Sequence, residues 1–148
     1  MMGASSGGYV TWRMLELYGN YFKGAIPIAS GYMPDKESLK EIDEAGIDLI
    51  VAHSRHDEMA EFEECIAPYE DELQKLENCI CFFPEWIRNE DKGVASVNYG
   101  MEMGQHCIIN QIQANLIYND GTCYDERLPK GVTGWIKDVT ENKNGEES

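Results

Sequence analysis

Hydrophobic and polar positions alternate along this chain in blocks, and each block has a recognisable period. From Gly7 the pattern is helical: Val10, Met14, Leu17 and Tyr18 recur at helical spacing, Trp12 and Leu15 widen the face, and Gly19 is the expected C-cap. "AIPIAS" (residues 25–30) is a short apolar run that predicts a strand. Its Pro27 lacks an N–H and argues against a long central strand. "PDKESLKEIDEAG" predicts a polar helix with Leu39 and Ile42 inward, closed by Gly46. "IDLIVAH" is continuously apolar, the signature of a strand covered on both faces. In "EMAEFEECIAPYEDELQKLEN", Ile66, Tyr69, Leu73 and Leu76 share a helical face, and Pro68 is expected to break and restart the helix. "CICFFPEW" predicts a third strand. A polar loop from about Glu85 to Gln105 follows, and then a helix over "CIINQIQANLI". The stretch "NDGTCYDERLPKGVTGWIKDV" reads as turn-rich and irregular.

Helix and strand therefore alternate, which predicts an α/β fold. About three parallel strands, joined by right-handed crossovers, would carry flanking helices. The organisation expected is one domain over residues 1–139 and a polar, disordered tail over 140–148.

Composition narrows the functional classes. The chain of 148 residues is 43% hydrophobic, enough for one packed core. Its 27 acidic and 12 basic residues leave a net charge of −15, which repels phosphate backbones and argues against a nucleic-acid partner. No apolar run approaches the roughly 18 residues of a membrane span. The five cysteines are unpatterned. They are read as reduced thiols, which favours a cytoplasmic setting, with Cys79 and Cys81 facing opposite sides of their strand. No Cys/His cluster suggests a metal, and no motif suggests a cofactor.

The chemistry concentrates in "GASSGG". Gly3-Ala4-Ser5-Ser6-Gly7 fits G-x-S-x-G, in which a serine sits on a sharp strand-to-helix turn with its hydroxyl exposed. Residues two before and two after the serine crowd one another, so glycine is favoured at Gly3 and Gly7. The helix start aims N–H groups at developing negative charge. Ser6, in the register Ala4-x-Ser6-x-Gly8, is the alternative nucleophile. It is less favoured because only Ser5 has glycine on both sides.

A nucleophilic serine needs a base and an acid to orient that base. His106 lies in the loop after the third strand, and Asp57 in the loop after the second, where sites form in parallel sheets. Asp48 begins its strand, roughly 15–20 Å from that end at about 3.3 Å per residue. His53, inside the apolar run, reads as a core histidine. His56 reads as a pocket residue, and Glu58 as an acid needing a different loop path.

With "GASSGG", "FKGAIPIASG", "DLIVAHSRHDEM" and "GQHCIINQIQANLIYNDGTCYDERLPKGVTGWI" in this order, the sequence resembles the C-terminal half of an α/β-hydrolase. The group is that of serine esterases and prolyl-oligopeptidase-like enzymes, and the resemblance runs over residues 1 to 139. It implies Ser5 as nucleophile, His106 as general base, Asp57 as the acid that orients it, and the Ser6 backbone N–H as an oxyanion donor. The activity implied is carboxylic ester hydrolysis through an acyl-enzyme, on a small ester or a short peptide. Peptide cleavage, or partner binding by a non-catalytic fragment, is the alternative. The family has several strands before the serine, and only Met1, Met2 and Gly3 precede that corner here. The expectation is therefore a partial fold with its N-terminal strands missing, "AIPIAS" as an exposed edge, the second oxyanion donor absent, no activity in isolation, and self-association through the bare edge.

Overall fold

A computed structural model describes residues 1–55, 57, 60–83 and 134–141. The polar loop from about Glu85 to Gln105, the helix expected at 107–117, and the site residues His56, Glu58 and His106 lie outside the described residues.

Four parallel strands form one sheet in the order β1 (Met2–Ala4), β2 (Gly24–Ile28), β3 (Asp48–Ala52) and β4 (Cys79–Phe82). Between them run α1 (Ser6–Tyr18), α2 (Lys36–Glu44), and the short pair α3 (Phe62–Cys65) and α4 (Glu70–Lys75). A further helix, α5, spans 134–141, where the sequence reads as irregular up to 139.

The sheet corrects one expectation. β2 is not an edge. Met2, Gly3 and Ala4 pair with Ile26, Pro27 and Ile28, so β1 is the outer strand among the described residues. Pro27 thus lies in a strand with neighbours on both sides. The β2–β3 ladder joins Gly24 to Asp48, Ala25 to Leu49 and Ile28 to Ala52, and it skips the positions around Pro27, which has no N–H to give.

Alternation along the strands sorts the core into two faces. Ala25, Leu49, Val51 and Cys81 face a cluster with Trp12 and Leu15 of α1, Leu39 and Ile42 of α2, Phe62 of α3 and Leu73 of α4. Ile26, Ile28, Ile50, Ala52 and Phe82 face the other side, where Trp135 of α5 packs. Cys79 and Cys81 therefore share a face, with their sulfurs 4.0 Å apart, because residues two apart in a strand point the same way and successive residues alternate. The hydrogen bond with Cys81 and burial both push the Cys79 thiol pKa up, which disfavours its thiolate. Among the described residues no disulfide joins Cys65, Cys79 and Cys81.

Helix α1 buries a different stripe from the one its periodicity suggests. Gly8, Thr11, Trp12 and Leu15 face the sheet, while Val10, Leu17 and Tyr18 are exposed. The segment carries two apolar stripes. Gly8 decides between them: a Cβ there would lie 2.8 Å from the Ile28 carbonyl oxygen, so this is the side on which the helix comes closest to β2. Gly19 stays right-handed and opens a 3₁₀ turn over Gly19–Tyr21 instead of capping in the left-handed conformation. By contrast α2 follows its local signals. Asp35 accepts a hydrogen bond from the Ser38 N–H at 2.7 Å, Leu39 and Ile42 are buried, and Gly46 has φ 74°. At Pro68 the chain passes through a 3₁₀ turn, Ala67–Tyr69, between α3 and α4.

Candidate functional site

The corner between β1 and α1 is tight. Ser5 stands between them with φ 57° and ψ −117°, a backbone conformation that L-residues seldom adopt and that costs on the order of 1–3 kcal/mol. Its neighbours hold it there. The Ser5 N–H donates to the Ile28 carbonyl at 2.8 Å, and the Ser5 carbonyl accepts from the N–H groups of Gly8 (2.9 Å) and Tyr9 (3.2 Å). Ser5 occupies the N-cap position, yet its side chain makes no capping hydrogen bond. The strained residue is Ser5; Ser6 is the first residue of α1 and is exposed.

The two motif glycines differ in their reasons. A Cβ on Gly3 would lie 2.5 Å from the Gly7 carbonyl carbon, so the turn leaves room there only for hydrogen. A Cβ on Gly7 would meet nothing within 4 Å. The mutual crowding expected of this pair is therefore one-sided, and the second sterically required glycine is Gly8. The helical ladder opens with the Gly8 and Tyr9 N–H groups, which leaves the Ser6 and Gly7 amides ahead of it at the positive end of the helix.

Asp57 follows β3 and is buried at 7% exposure. Its Oδ1 accepts the Ala60 N–H at 2.9 Å, and its Oδ2 lies 3.6 Å from Nε2 of His53. His53 is 1% exposed. Its Nε2 lies 2.6 Å from the Ala60 carbonyl oxygen, and since a carbonyl only accepts, Nε2 carries the proton. Burial lowers the His53 pKa, while the Ala60 carbonyl and the Asp57 carboxylate oppose that shift, so the ring is neutral. Asp48 begins β3, at the end of the strand away from Asp57.

Ser5, Ser6 and Asp57 line one open cleft of about 480 Å³ at the carboxyl end of the sheet. Sequence reasoning missed its other walls. Tyr9 and Tyr32 meet edge to face, with ring centroids 5.1 Å apart. The Tyr32 hydroxyl donates to Glu16 at 2.5 Å, and Arg13 pairs with the same Glu16 at 3.2 Å. Burial and the bond to Glu16 raise the Tyr32 pKa. Ala29, with φ 50°, and Cys65 complete the cleft beside Gly31 and Ala60. Only the aromatic–glycine run "GGY" hinted at Tyr9. Nothing local marks Tyr32, which comes from the next crossover. Among the described residues no group of His, Cys, Asp and Glu could hold a metal ion, and no helix is long and apolar enough to cross a membrane.

The parallel sheet, its flanking helices and the strained strand-to-helix corner make an α/β architecture consistent with a partial α/β-hydrolase fold. Among solved structures, the chain is similar to a thermostable esterase at 20% identity and a TM-score of 0.46. The match covers 76% of this chain and 27% of that one, so the chain spans about a quarter of the esterase's length. No family model and no curated protein matches the sequence.

Proposed function

We propose that this chain carries the nucleophile and acid of a serine hydrolase that cleaves carboxylic esters through an acyl-enzyme. Ser5 attacks the ester carbonyl, His106 takes its proton and returns it to the leaving alcohol, and Asp57 orients and stabilises the imidazole. The Ser6 N–H stabilises the oxyanion. The observation that carries this reading is the Ser5 backbone. A serine held at φ 57°, uncommitted to capping, faces a cleft that also contains a buried carboxylate. Strain of this kind persists only where surrounding structure enforces it, and it aims the hydroxyl out of the turn.

The test is covalent labelling. A fluorophosphonate probe should label Ser5 in the whole protein, and Ser5→Ala should abolish labelling while Ser6→Ala keeps it. Labelling that survives Ser5→Ala and vanishes in Ser6→Ala moves the nucleophile by one residue. A folded protein that takes no label rejects the reading. Parallel assays on p-nitrophenyl acetate and on a peptide anilide separate ester from peptide cleavage, which a shared triad does not distinguish. Self-association would use the outer backbone of β1, and light scattering after size exclusion measures it.

A further inference from the structure

The Ala60 peptide is grasped on both sides. Its N–H goes to Oδ1 of Asp57 and its carbonyl to Nε2–H of His53, while the same imidazole lies 3.6 Å from Oδ2 of Asp57. The three groups close a ring that ties the residues after β3 to the strand's own end, where the His53 N–H donates to the Phe82 carbonyl of β4 at 3.0 Å. The His53 ring is buried and packed edge to face on Phe62 of α3, with centroids 6.2 Å apart.

We propose that His53 is a positioning residue for the reaction: by holding the Ala60 carbonyl it fixes the peptide whose N–H bonds Oδ1 of Asp57, and so keeps that carboxylate in the orientation that a catalytic imidazole needs. This rests on the reading of Asp57 as the acid. Neutrality is the central property. A neutral ring holds the Ala60 peptide, whose N–H bonds the carboxylate, without cancelling the negative charge that must stabilise a second imidazolium, whereas a lysine or arginine there would form an ion pair and compete for it. What links the ring to the acid is that the peptide it holds is the one that bonds Oδ1 of Asp57.

The experiment compares His53→Leu, which keeps bulk without a donor, with His53→Gln, which keeps an N–H, each alone and in the Asp57→Asn background. The whole protein is assayed on p-nitrophenyl acetate and its folding followed by thermal melting. His53→Leu should lower kcat about 10- to 100-fold with KM nearly unchanged, as for other groups that orient a catalytic ligand, and His53→Gln should recover most of that loss. In Asp57→Asn, adding His53→Leu should change kcat less than about twofold, because the group it acts through is gone. A folded His53→Leu with wild-type kcat, or an equal loss in both backgrounds, overturns the inference alone. Wild-type turnover in Asp57→Asn overturns the reading of Asp57 and the inference with it. Long-range proton–nitrogen NMR on histidine-labelled protein is independent of turnover and of the variants' folding. It should show His53 as the neutral Nε2–H tautomer near pH 7; the Nδ1–H tautomer or a charged ring rejects the arrangement.

Discussion

The serine corner and the acid cluster are built by different physics. At Ser5 the geometry is a matter of backbone. Ser5 alone joins β1 to α1, and a Cβ on Gly3 has no place beside the Gly7 carbonyl. At Asp57 the geometry is a matter of buried polar partners. The carboxylate is held by a backbone N–H from Ala60 and approached by the imidazole of His53, the residue just after β3. The first arrangement tolerates changes in side-chain chemistry and fails on added volume. The second tolerates small changes in volume and fails on lost donors, because a buried polar group without its partner is costly. Each half should therefore have its own characteristic lesion.

The largest effect should come from the acid. Asp57→Asn keeps the volume and removes the charge, and in the chymotrypsin-type triad such a change lowers kcat by about 10⁴. The matching change at the base, His106→Ala, should cost several orders of magnitude in turnover. Steady-state kinetics on p-nitrophenyl acetate measures both, and wild-type turnover in Asp57→Asn would assign the acid elsewhere.

Next comes the corner. Gly3→Ala must push the Gly7 carbonyl away and should destabilise by about 1–3 kcal/mol, losing fluorophosphonate labelling at Ser5 as the turn opens. Denaturant melts beside the labelling gel give both readouts. A stable, fully labelled Gly3→Ala would mean that the turn is not sterically closed.

Acid should then distinguish the buried cluster from the corner, which has no titrating group of its own. The His53 pKa is lowered from its ordinary 6.5 by burial. On acidification the unfolded chain takes up this proton before the folded one does. Stability is thus at its full value above about pH 6.5 and falls as the pH drops below it, until the folded-state pKa is reached. The slope from this one group is at most about 1.4 kcal/mol per pH unit. Among the described residues, Asp57 is the charged group that acts on the ring, and it works against the shift. Melts from pH 7.5 to 5 follow the wild type against His53→Gln. An equal acid response in the two would remove His53 from the account.

The smallest effect should be at Gly7, where an alanine meets nothing within 4 Å and gains helix propensity. Gly7→Ala should be neutral or stabilise by up to about 1 kcal/mol and keep its label. The pair Gly3→Ala and Gly7→Ala thus sharpens the sequence motif into one glycine required by sterics and one that is not.

Much of the described fold was determined by the sequence alone. Strands β2, β3 and β4 and helices α1 to α4 follow from local periodicity, from Gly46 at the end of α2, and from Pro68 between α3 and α4, because such signals act within a few residues. The position of a serine at a strand-to-helix corner was equally legible in "GASSGG". Only the tertiary structure decided the rest. Met2–Ala4 is too short to declare itself as a strand, and it becomes one because β2 offers it a ladder. Helix α1 carries two apolar stripes, and its buried face was chosen by the close approach of Gly8 to β2. Residues 134–141 take helical form with Trp135 against the sheet, although their own sequence reads as turns. The cleft walls Tyr9 and Tyr32, and the link from His53 through Ala60 to Asp57, join residues whose types carry no local signature. Local sequence sets which backbone conformations are cheap, whereas side-chain partners are selected by packing across strands and crossovers, and that selection exists only once the sheet has formed.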